Sequence, residues 1–322
     1  MPEAGLAYPA EAAAQSSWVL ARRGARRRVS PDQPHGVFVE LERDSTGKLT
    51  ETLTVLLTNK ECPFRCVMCD LWENTLQERV PVGSISAQME VALQARGNAT
   101  VIKLYNSGSF FDPQAIPHEE YPSISARLRG FSHVIVESHP AFIGARTLEF
   151  ARSLTGALEV AIGLETAHPV ALEKLNKRFS LEQFTASAAF LRAHNIALRV
   201  FLLLNAPFIP ASETQAWTLR SIDFALEQGA SAVVVIPTRF NRSLEDLEKL
   251  GLTTRSRLQH LEDALAYGIA QRRGRVFADL WDLNSPAGCA RCFPARKERL
   301  RLMNNLQTVA PKIHCTECEA PL

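Results

Sequence analysis

The chain has 322 residues, 46% of them hydrophobic and 22% charged, with a formal net charge of +2. That balance excludes disorder, collagen-like repetition and coiled coil as descriptions of the whole chain, and the length allows one large domain or two smaller ones. No apolar run approaches the ~20 residues of a membrane span. The N-terminal stretch MPEAGLAYPAEAAAQSSWVL lacks the basic start and leucine-rich centre of an export signal, so a cytoplasmic protein without membrane contact is expected.

Five arginines crowd into residues 22–28, RRGARRR. This reads either as a solubilising, partly disordered leader or as a short arm contacting phosphates, for which the forked Arg donor set is well suited. From Gly36 onward strands and helices alternate. GVFVELERD and LTETLTVLLTN form an opening hairpin around an STGK turn. Helices are expected at 85–96, 123–129, 146–155, 180–193, 213–228 and 254–270, and strands at 100–106, 133–138, 157–165, 196–205, 231–237 and 275–280. Short β-branched runs alternating with amphipathic helices imply parallel strands joined by right-handed crossovers. Seven or so such units in about 230 residues indicate an α/β fold, a partial or full TIM-like (β/α) barrel; a large open α/β sheet is the alternative. Residues 1–49 read as an N-terminal extension with the opening hairpin strand, 50–285 as the barrel, and 286–322 as a small appendage. Both architectures place chemistry at the carboxyl ends of the strands.

Seven cysteines is an odd number, and their spacing is metal arithmetic rather than disulfide arithmetic. Thiolates kept available as ligands suit a reducing compartment. Cys62, Cys66 and Cys69 lie in NKECPFRCVMCDLW, directly after the first buried strand. Three thiolates from one loop can hold three irons of a [4Fe–4S] cube and leave the fourth iron open, which a closed tetrahedral zinc site does not. Zinc with a distant fourth ligand is the competing reading. Cys289, Cys292, Cys315 and Cys318 form two CxxC pairs flanking a helix-like basic stretch, KERLRLMNNL. Four such ligands suit a structural zinc ion, and an auxiliary iron–sulfur cluster uses the same set. The basic stretch is either a face toward RNA or a solvated surface.

CPFRCVMC after the first strand of a repeated β/α domain resembles the radical S-adenosylmethionine superfamily, over roughly residues 50–285. The series NKECPFRCVMCDLW, KLYNSGSFFDPQAIP (103–117), VIVESHP (134–140) and IGLET (162–166) is similar to its elongator-like and methylthiotransferase-like branch, which includes the radical subunit of archaeosine synthase. The resemblance implies a [4Fe–4S] cluster whose open iron chelates S-adenosylmethionine. Reductive cleavage then yields a 5′-deoxyadenosyl radical that abstracts hydrogen from a substrate. It also implies an electron donor of flavodoxin or ferredoxin type, and as substrate a deazaguanine-type tRNA base, with tRNA or a tRNA-modifying enzyme as partner. A small metabolite or peptide substrate is the alternative. A non-enzymatic zinc or iron–sulfur RNA-binding protein is a further one, against which the lone cysteine triplet argues.

The polar residues at the strand ends are the remaining candidates. Asn106, Ser107, Gly108 and Ser109 end the second barrel strand, where a glycine flanked by small hydroxyl residues lets backbone approach a ligand. In the family this stretch takes the place of the glycine-rich cosubstrate motif, although it departs from the commoner Gly-Gly-Glu form. Glu137 and Glu165 close successive strands and suit an ammonium, a ribose diol or a substrate amine. Arg199 stands within an apolar strand and needs a carboxylate, either the cosubstrate's or a protein partner's. With Met68 and Asn205 these make up the expected cosubstrate contacts. No catalytic residue is assigned; Glu137, His139 and Tyr105 are the candidates. Thr238, Arg239, Asp279 and Asp282 stand at later strand ends, and the NKR at 176–178 reads as a basic patch flanking a helix.

Overall fold

In the strand Ala197–Leu204, Leu198, Val200, Leu202 and Leu204 enter the core, while the alternate positions carry Arg199 and Phe201. Successive side chains of a strand point to opposite faces. The same alternation in the other strands gives the sheet a helix-covered outer face and a mixed inner face, and so curls it. A computed structural model describes residues 7–283 and 289–319, the last two by backbone alone. Helix α1 (Ala12–Leu20) precedes the antiparallel hairpin β1 (Gly36–Arg43) and β2 (Leu49–Leu56). Its turn is set by the Asp44 carboxylate, which accepts from the Thr46 and Lys48 N–H groups, and by Gly47 at φ +84°.

The repeat then runs α2 (Ser84–Leu93), β3 (Val101–Tyr105), α3 (Tyr121–Arg127), β4 (His133–Glu137), α4 (Ala145–Ser153), β5 (Ala157–Glu165), α5 (Pro169–Lys174), α6 (Leu181–Ala193) and β6 (Ala197–Leu204). It continues with α7 (Thr214–Glu227), β7 (Ala232–Pro237), α8 (Arg242–Lys249), α9 (Leu258–Gln271) and β8 (Arg275–Ala278), and ends with α10 (Phe293–Leu306) and α11 (Thr316–Glu319). The eight strands form one sheet in sequence order, with β2 to β8 parallel. The fold is therefore α/β and a partial barrel: no ladder joins β8 to β1 among the described residues. Helices α1, α5 and α8 lie outside the sequence reading. They are short, and two of them pack into a separate apolar cluster with Trp18, Val67, Leu175, Leu244 and Leu247 rather than against the sheet.

The seam between β1 and β8 is covered by side chains and by α10. The Asn304 amide donates to the Ala278 carbonyl (2.8 Å) and accepts from its N–H (2.9 Å), and Gln307 treats Val276 the same way (2.9 and 2.8 Å). These two amides stand in for the missing strand, satisfying an edge that would otherwise be unpaired. From the other side Arg43 Nε donates to the Asn305 carbonyl (2.6 Å) and Arg275 donates to the Arg43 carbonyl (3.0 Å). The boundary expected at 285/286 lies outside the described residues. On the N-terminal side, the stretch read as an extension contributes β1 to the same sheet.

Inside the curl a chain of ion pairs runs across six strands. Lys103 meets Glu40 (2.8 Å) and Glu42 (2.6 Å), Arg199 meets Glu42 (2.6 Å) and Glu159 (2.5 Å), and Arg275 and His133 meet Glu159 (3.2 and 3.1 Å). Three carboxylates balance Lys103, Arg199 and Arg275. Burial works against the Glu42 carboxylate, yet the Arg199 and Lys103 cations hold it down at about 2. Among the described residues no helix is long and apolar enough to cross a membrane.

Candidate functional site

The three-cysteine loop leaves the carboxyl end of β2 and is held on every side. Gln88 of α2 extends the strand, accepting from the Thr58 N–H and donating to the Thr58 carbonyl, both at 2.8 Å. The returning chain pairs Leu76 N–H with the Asn59 carbonyl (2.8 Å) and Glu61 N–H with the Leu76 carbonyl (2.9 Å). Within the loop, the Val67 N–H donates to the Leu175 carbonyl (3.1 Å) and the Asn176 amide to the Arg65 carbonyl (2.7 Å). Asn241, the N-cap of α8, donates to the Val67 carbonyl at 3.2 Å while its carbonyl oxygen caps Leu244 N–H. Burial pushes the thiols of Cys62, Cys66 and Cys69 up to about 12, with the nearby Lys177 ammonium acting in the opposite sense on Cys62 and Cys66.

Lys177 corrects the expectation of a basic patch at 176–178. Its Nζ lies 2.7 Å from Glu165 Oε1, with both side chains nearly buried. The pair fits because residue 163 is glycine: a Cβ there would sit 2.5 Å from Glu165 Oε1 and 2.8 Å from Lys177 Nζ. Arg178 reaches Ser16 of α1 at 3.1 Å, so all three residues of the NKR stretch serve the loop or its cover. The sequence signal that could have found Lys177 is its position after the strand ending in Glu165, a carboxylate that needs a cation once buried.

The stretch Asn106–Ser109 packs directly on the cysteine loop, a Cβ at Gly108 falling 3.4 Å from that of Cys62. It is positioned by Glu137, whose Oε1 accepts from the N–H groups of Asn106 (2.5 Å) and Gly108 (3.5 Å). Burial raises the Glu137 carboxyl to about 6 against these hydrogen bonds. Both polar atoms of the Asn106 side-chain amide are buried with no hydrogen-bond partner among the described residues, as is Asn205 Oδ1. Native structures leave few such groups unpaired, so these amides are ready to meet a polar ligand. Ser107, Glu165 and Asn205 end β3, β5 and β6 at φ +52°, +67° and +56°. Left-handed backbone is uncommon for non-glycine residues and is costly for Glu, and here it recurs at three strand ends.

Other candidates are committed within the protein. Arg199 is wholly buried and both arms of its fork are taken by Glu42 and Glu159, so the carboxylate it needed is a protein one. His139 has a structural role: Nε2–H donates to the Lys177 carbonyl (2.7 Å), Nδ1 accepts from the Ala141 N–H (3.1 Å), and the ring stacks on Phe64. Only the neutral Nε2–H tautomer serves both bonds, and burial lowers the imidazole to about 4. Tyr105 lies inside the curl, edge-on to Phe201 at 5.8 Å. Met68 packs between two apolar clusters that share Phe208. The Asn205 amide donates to the Arg255 carbonyl (3.3 Å). Thr238 donates to the Leu204 carbonyl (2.6 Å), and Arg239 pairs with Asp279 (3.3 Å) and Asp282 (3.0 Å).

The arginine-rich arm is not a loose leader, since four of its five arginines pair with carboxylates. Arg23 (2.6 Å) and Arg26 pair with Glu61, the residue before Cys62, and Arg65 joins the same carboxylate at 3.0 Å. Arg22 stacks on Trp18 and pairs with Asp246 at 2.9 Å, and Arg27 meets Glu73 at 3.6 Å. Beside this arm a polar cleft of about 370 Å³ is lined by Lys60, Arg65 and Asp112, among others. In the tail, Cys289, Cys292 and Cys315 form a cluster with all three sulfurs within 4.8 Å of one another. Cys318 falls in α11, its side chain outside the described residues. The basic stretch of α10 is not a uniform cationic face: Arg296 pairs with Glu262 at 2.5 Å, and Arg299 is buried against the carbonyls of Ala310 and Pro311.

No family model matches the chain. It is 25% identical over 243 residues to an uncharacterized protein of Methanocaldococcus jannaschii, MJ0550, across 69% of this chain. Similar solved structures include the Elp3 protein of Methanocaldococcus infernus with its N-terminus deleted (12% identity, 68% of this chain and 58% of that one, TM-score 0.48). A radical SAM methyltransferase from Sphaerobacter thermophilus is similar at 14% identity, over 78% of this chain and 77% of that one, with TM-score 0.48. Coproporphyrinogen III oxidase (HemN) of Escherichia coli, a radical SAM enzyme, is similar at 13% identity over 66% and 51%, with TM-score 0.47. The chain spans 66%, just under two thirds, of the length of the curated relative it matches.

Proposed function

We propose that this protein is a radical S-adenosylmethionine enzyme whose [4Fe–4S] cluster is held by Cys62, Cys66 and Cys69. The observation that carries the reading is one loop offering three thiols at the carboxyl end of β2, against a backbone stretch whose Asn106 side-chain amide is buried without a partner among the described residues. The donor set fits the group: the loop offers three thiols, and each corner of a cube takes its own thiolate. When bound, the cluster supplies one electron to the sulfonium of S-adenosylmethionine, giving methionine and a 5′-deoxyadenosyl radical.

The chain's own residues bind and exclude. Lys177 offsets the charge that accumulates on the thiolates, and Glu165 keeps its ammonium in place. Glu137 holds the N–H groups of Asn106 and Gly108 in register, so the turn presents its backbone and the Asn106 amide toward the cosubstrate. The ion pairs inside the curl fill the space beneath the strand ends and keep bulk water from a reactive intermediate. An electron donor of flavodoxin or ferredoxin type is the partner this chemistry requires, and a cytoplasmic setting suits it.

For the substrate, a deazaguanine-type tRNA base is the class implied by the sequence resemblance. One observation favours a second reading, a small metabolite or peptide: Arg23 and Arg26 of the arm beside the loop are spent on Glu61 rather than presented to phosphates. Protein reconstituted anaerobically with iron and sulfide and reduced with dithionite is expected to release 5′-deoxyadenosine from S-adenosylmethionine, and Cys66→Ala to abolish the release. Cleavage at full rate in that variant would overturn the reading. Comparing tRNA nucleosides and small metabolites from cells with and without the protein separates the two substrate classes.

A further inference from the structure

We propose that Cys289, Cys292 and Cys315 are ligands of one structural zinc ion that clamps α10 into the open seam between β1 and β8. The site is separate from the cysteine loop of β2 and does not depend on the reaction assigned there.

The sulfur geometry selects the metal. Cys289 Sγ and Cys315 Sγ are 3.9 Å apart, and the Cys292 sulfur lies within 4.8 Å of both. Thiolates at about 2.3 Å from one tetrahedral zinc ion stand ~3.8 Å from each other. A [4Fe–4S] cube puts each thiolate on a different iron and so spreads them further. Soft sulfur donors in a tetrahedral arrangement favour zinc over magnesium or calcium. Cys292 is the N-cap of α10, so the cluster sits at the start of that helix. In sequence, Cys318 is the remaining cysteine of the CxxC pair that begins at Cys315.

The path of the chain says what the ion is for. Helix α10 is 14 residues long, about 21 Å, and turns back at Gln307 in left-handed backbone. The returning segment is laid along the helix by Arg299, which donates to the carbonyls of Ala310 (2.9 Å) and Pro311 (2.7 Å), and so brings Cys315 back to the helix start. A metal there closes a loop around α10. The same helix carries Asn304 and Gln307, whose amides replace the missing strand beside β8. The ion and these amides thus hold opposite ends of one helix, and the helix is what stands where a barrel would have closed.

The test uses the full-length protein purified anaerobically, with zinc, iron and sulfide measured by elemental analysis and β8 followed by amide hydrogen exchange. About one zinc per chain is expected, retained in Cys66→Ala and lost in Cys289→Ser and Cys315→Ser. Removing the zinc from the parent protein with a chelator is expected to speed exchange at Val276 and Ala278 at least tenfold, while β4 stays protected. Asn304→Leu is expected to keep the zinc and yet speed exchange at Ala278. Iron with sulfide in place of zinc in Cys66→Ala, a Cys289–Cys315 disulfide by mass, or no metal in the parent would overturn the metal assignment. Zinc loss with unchanged exchange at β8 would overturn the clamp. The chelator experiment decides the matter even if the cysteine variants fail to fold.

Discussion

The imidazole of His139 lies flat on the ring of Phe64, with centroids 3.8 Å apart and planes 20° from parallel. Phe64 sits between Cys62 and Cys66, and His139 follows β4, which ends in Glu137, so one stacked pair couples the cysteine loop after β2 to the end of a strand two places along the sheet. A second bond from the same imidazole, to the Lys177 carbonyl, adds the segment that carries the loop's buried cation.

This role makes His139 acid-labile. Burial lowers its folded value from 6.5 to about 4, so the unfolded chain takes up a proton first as pH falls. Its contribution is present above pH 6.5 and is lost as pH falls toward 4, by ~3 kcal/mol at the low end. Glu137 runs the other way: raised from 4.5 to about 6, it favours the fold below 4.5 and loses that contribution as pH rises through 6. The difference in urea stability between the parent and His139→Gln should therefore shrink as pH drops from 7 to 4. A difference independent of pH would show that His139 is not held neutral.

Lys177→Met should destabilise the protein by ~3 kcal/mol, because it leaves Glu165 buried beside thiols with no cation. Adding Glu165→Gln should recover most of that loss, since the uncompensated charge, not the missing contact, is the main cost. Denaturant midpoints of the two single variants and the double variant give the coupling directly; simple additivity would refute it.

Arg199→Leu should cost ~4 kcal/mol or abolish folding, since it strands Glu42 and Glu159 without their shared cation. Arg199→Lys should fall between, because one ammonium cannot span two carboxylates as a fork does. Thermal unfolding of the purified variants checks the order, and an Arg199→Leu protein as stable as the parent would remove the network from the account.

Glu61→Gln should release the arm. Arg23, Arg26 and Arg65 share that carboxylate, while the sheet does not depend on it. Trypsin is expected to cut within residues 22–28 several-fold faster, with only a small change in thermal midpoint. Unchanged cleavage would mean that the Trp18 and Trp72 contacts hold the arm unaided.

Periodicity was enough for the sheet. From β2 to β8 each strand appears within a few residues of its expected place, because a two-residue alternation of apolar side chains is a local property. The cysteine triplet was visible for a similar reason, as three thiols in one short loop are a local property of the sequence. Arg199, His139 and Lys177 were not legible in this way. Arg199 was seen to need a carboxylate, His139 was read as a catalytic candidate and Lys177 as part of a basic patch, and what each meets comes from another strand or loop: Glu42 and Glu159 for the first, Phe64 for the second, Glu165 for the third. The reading of the arginine-rich arm as a loose leader failed on the same ground, since a run of like charge looks solvated until the carboxylates opposite it are known.

By itself, then, the sequence determined the succession of strands and helices and the division of seven cysteines into three and four. Only the tertiary structure decided that the barrel stays open between β1 and β8, and that α10 fills the gap through Asn304 and Gln307. Closure depends on whether the last strand can reach the first, which is set by the curl of the whole sheet. That curl is the sum of side-chain contacts between residues far apart in the chain, and no local pattern records it.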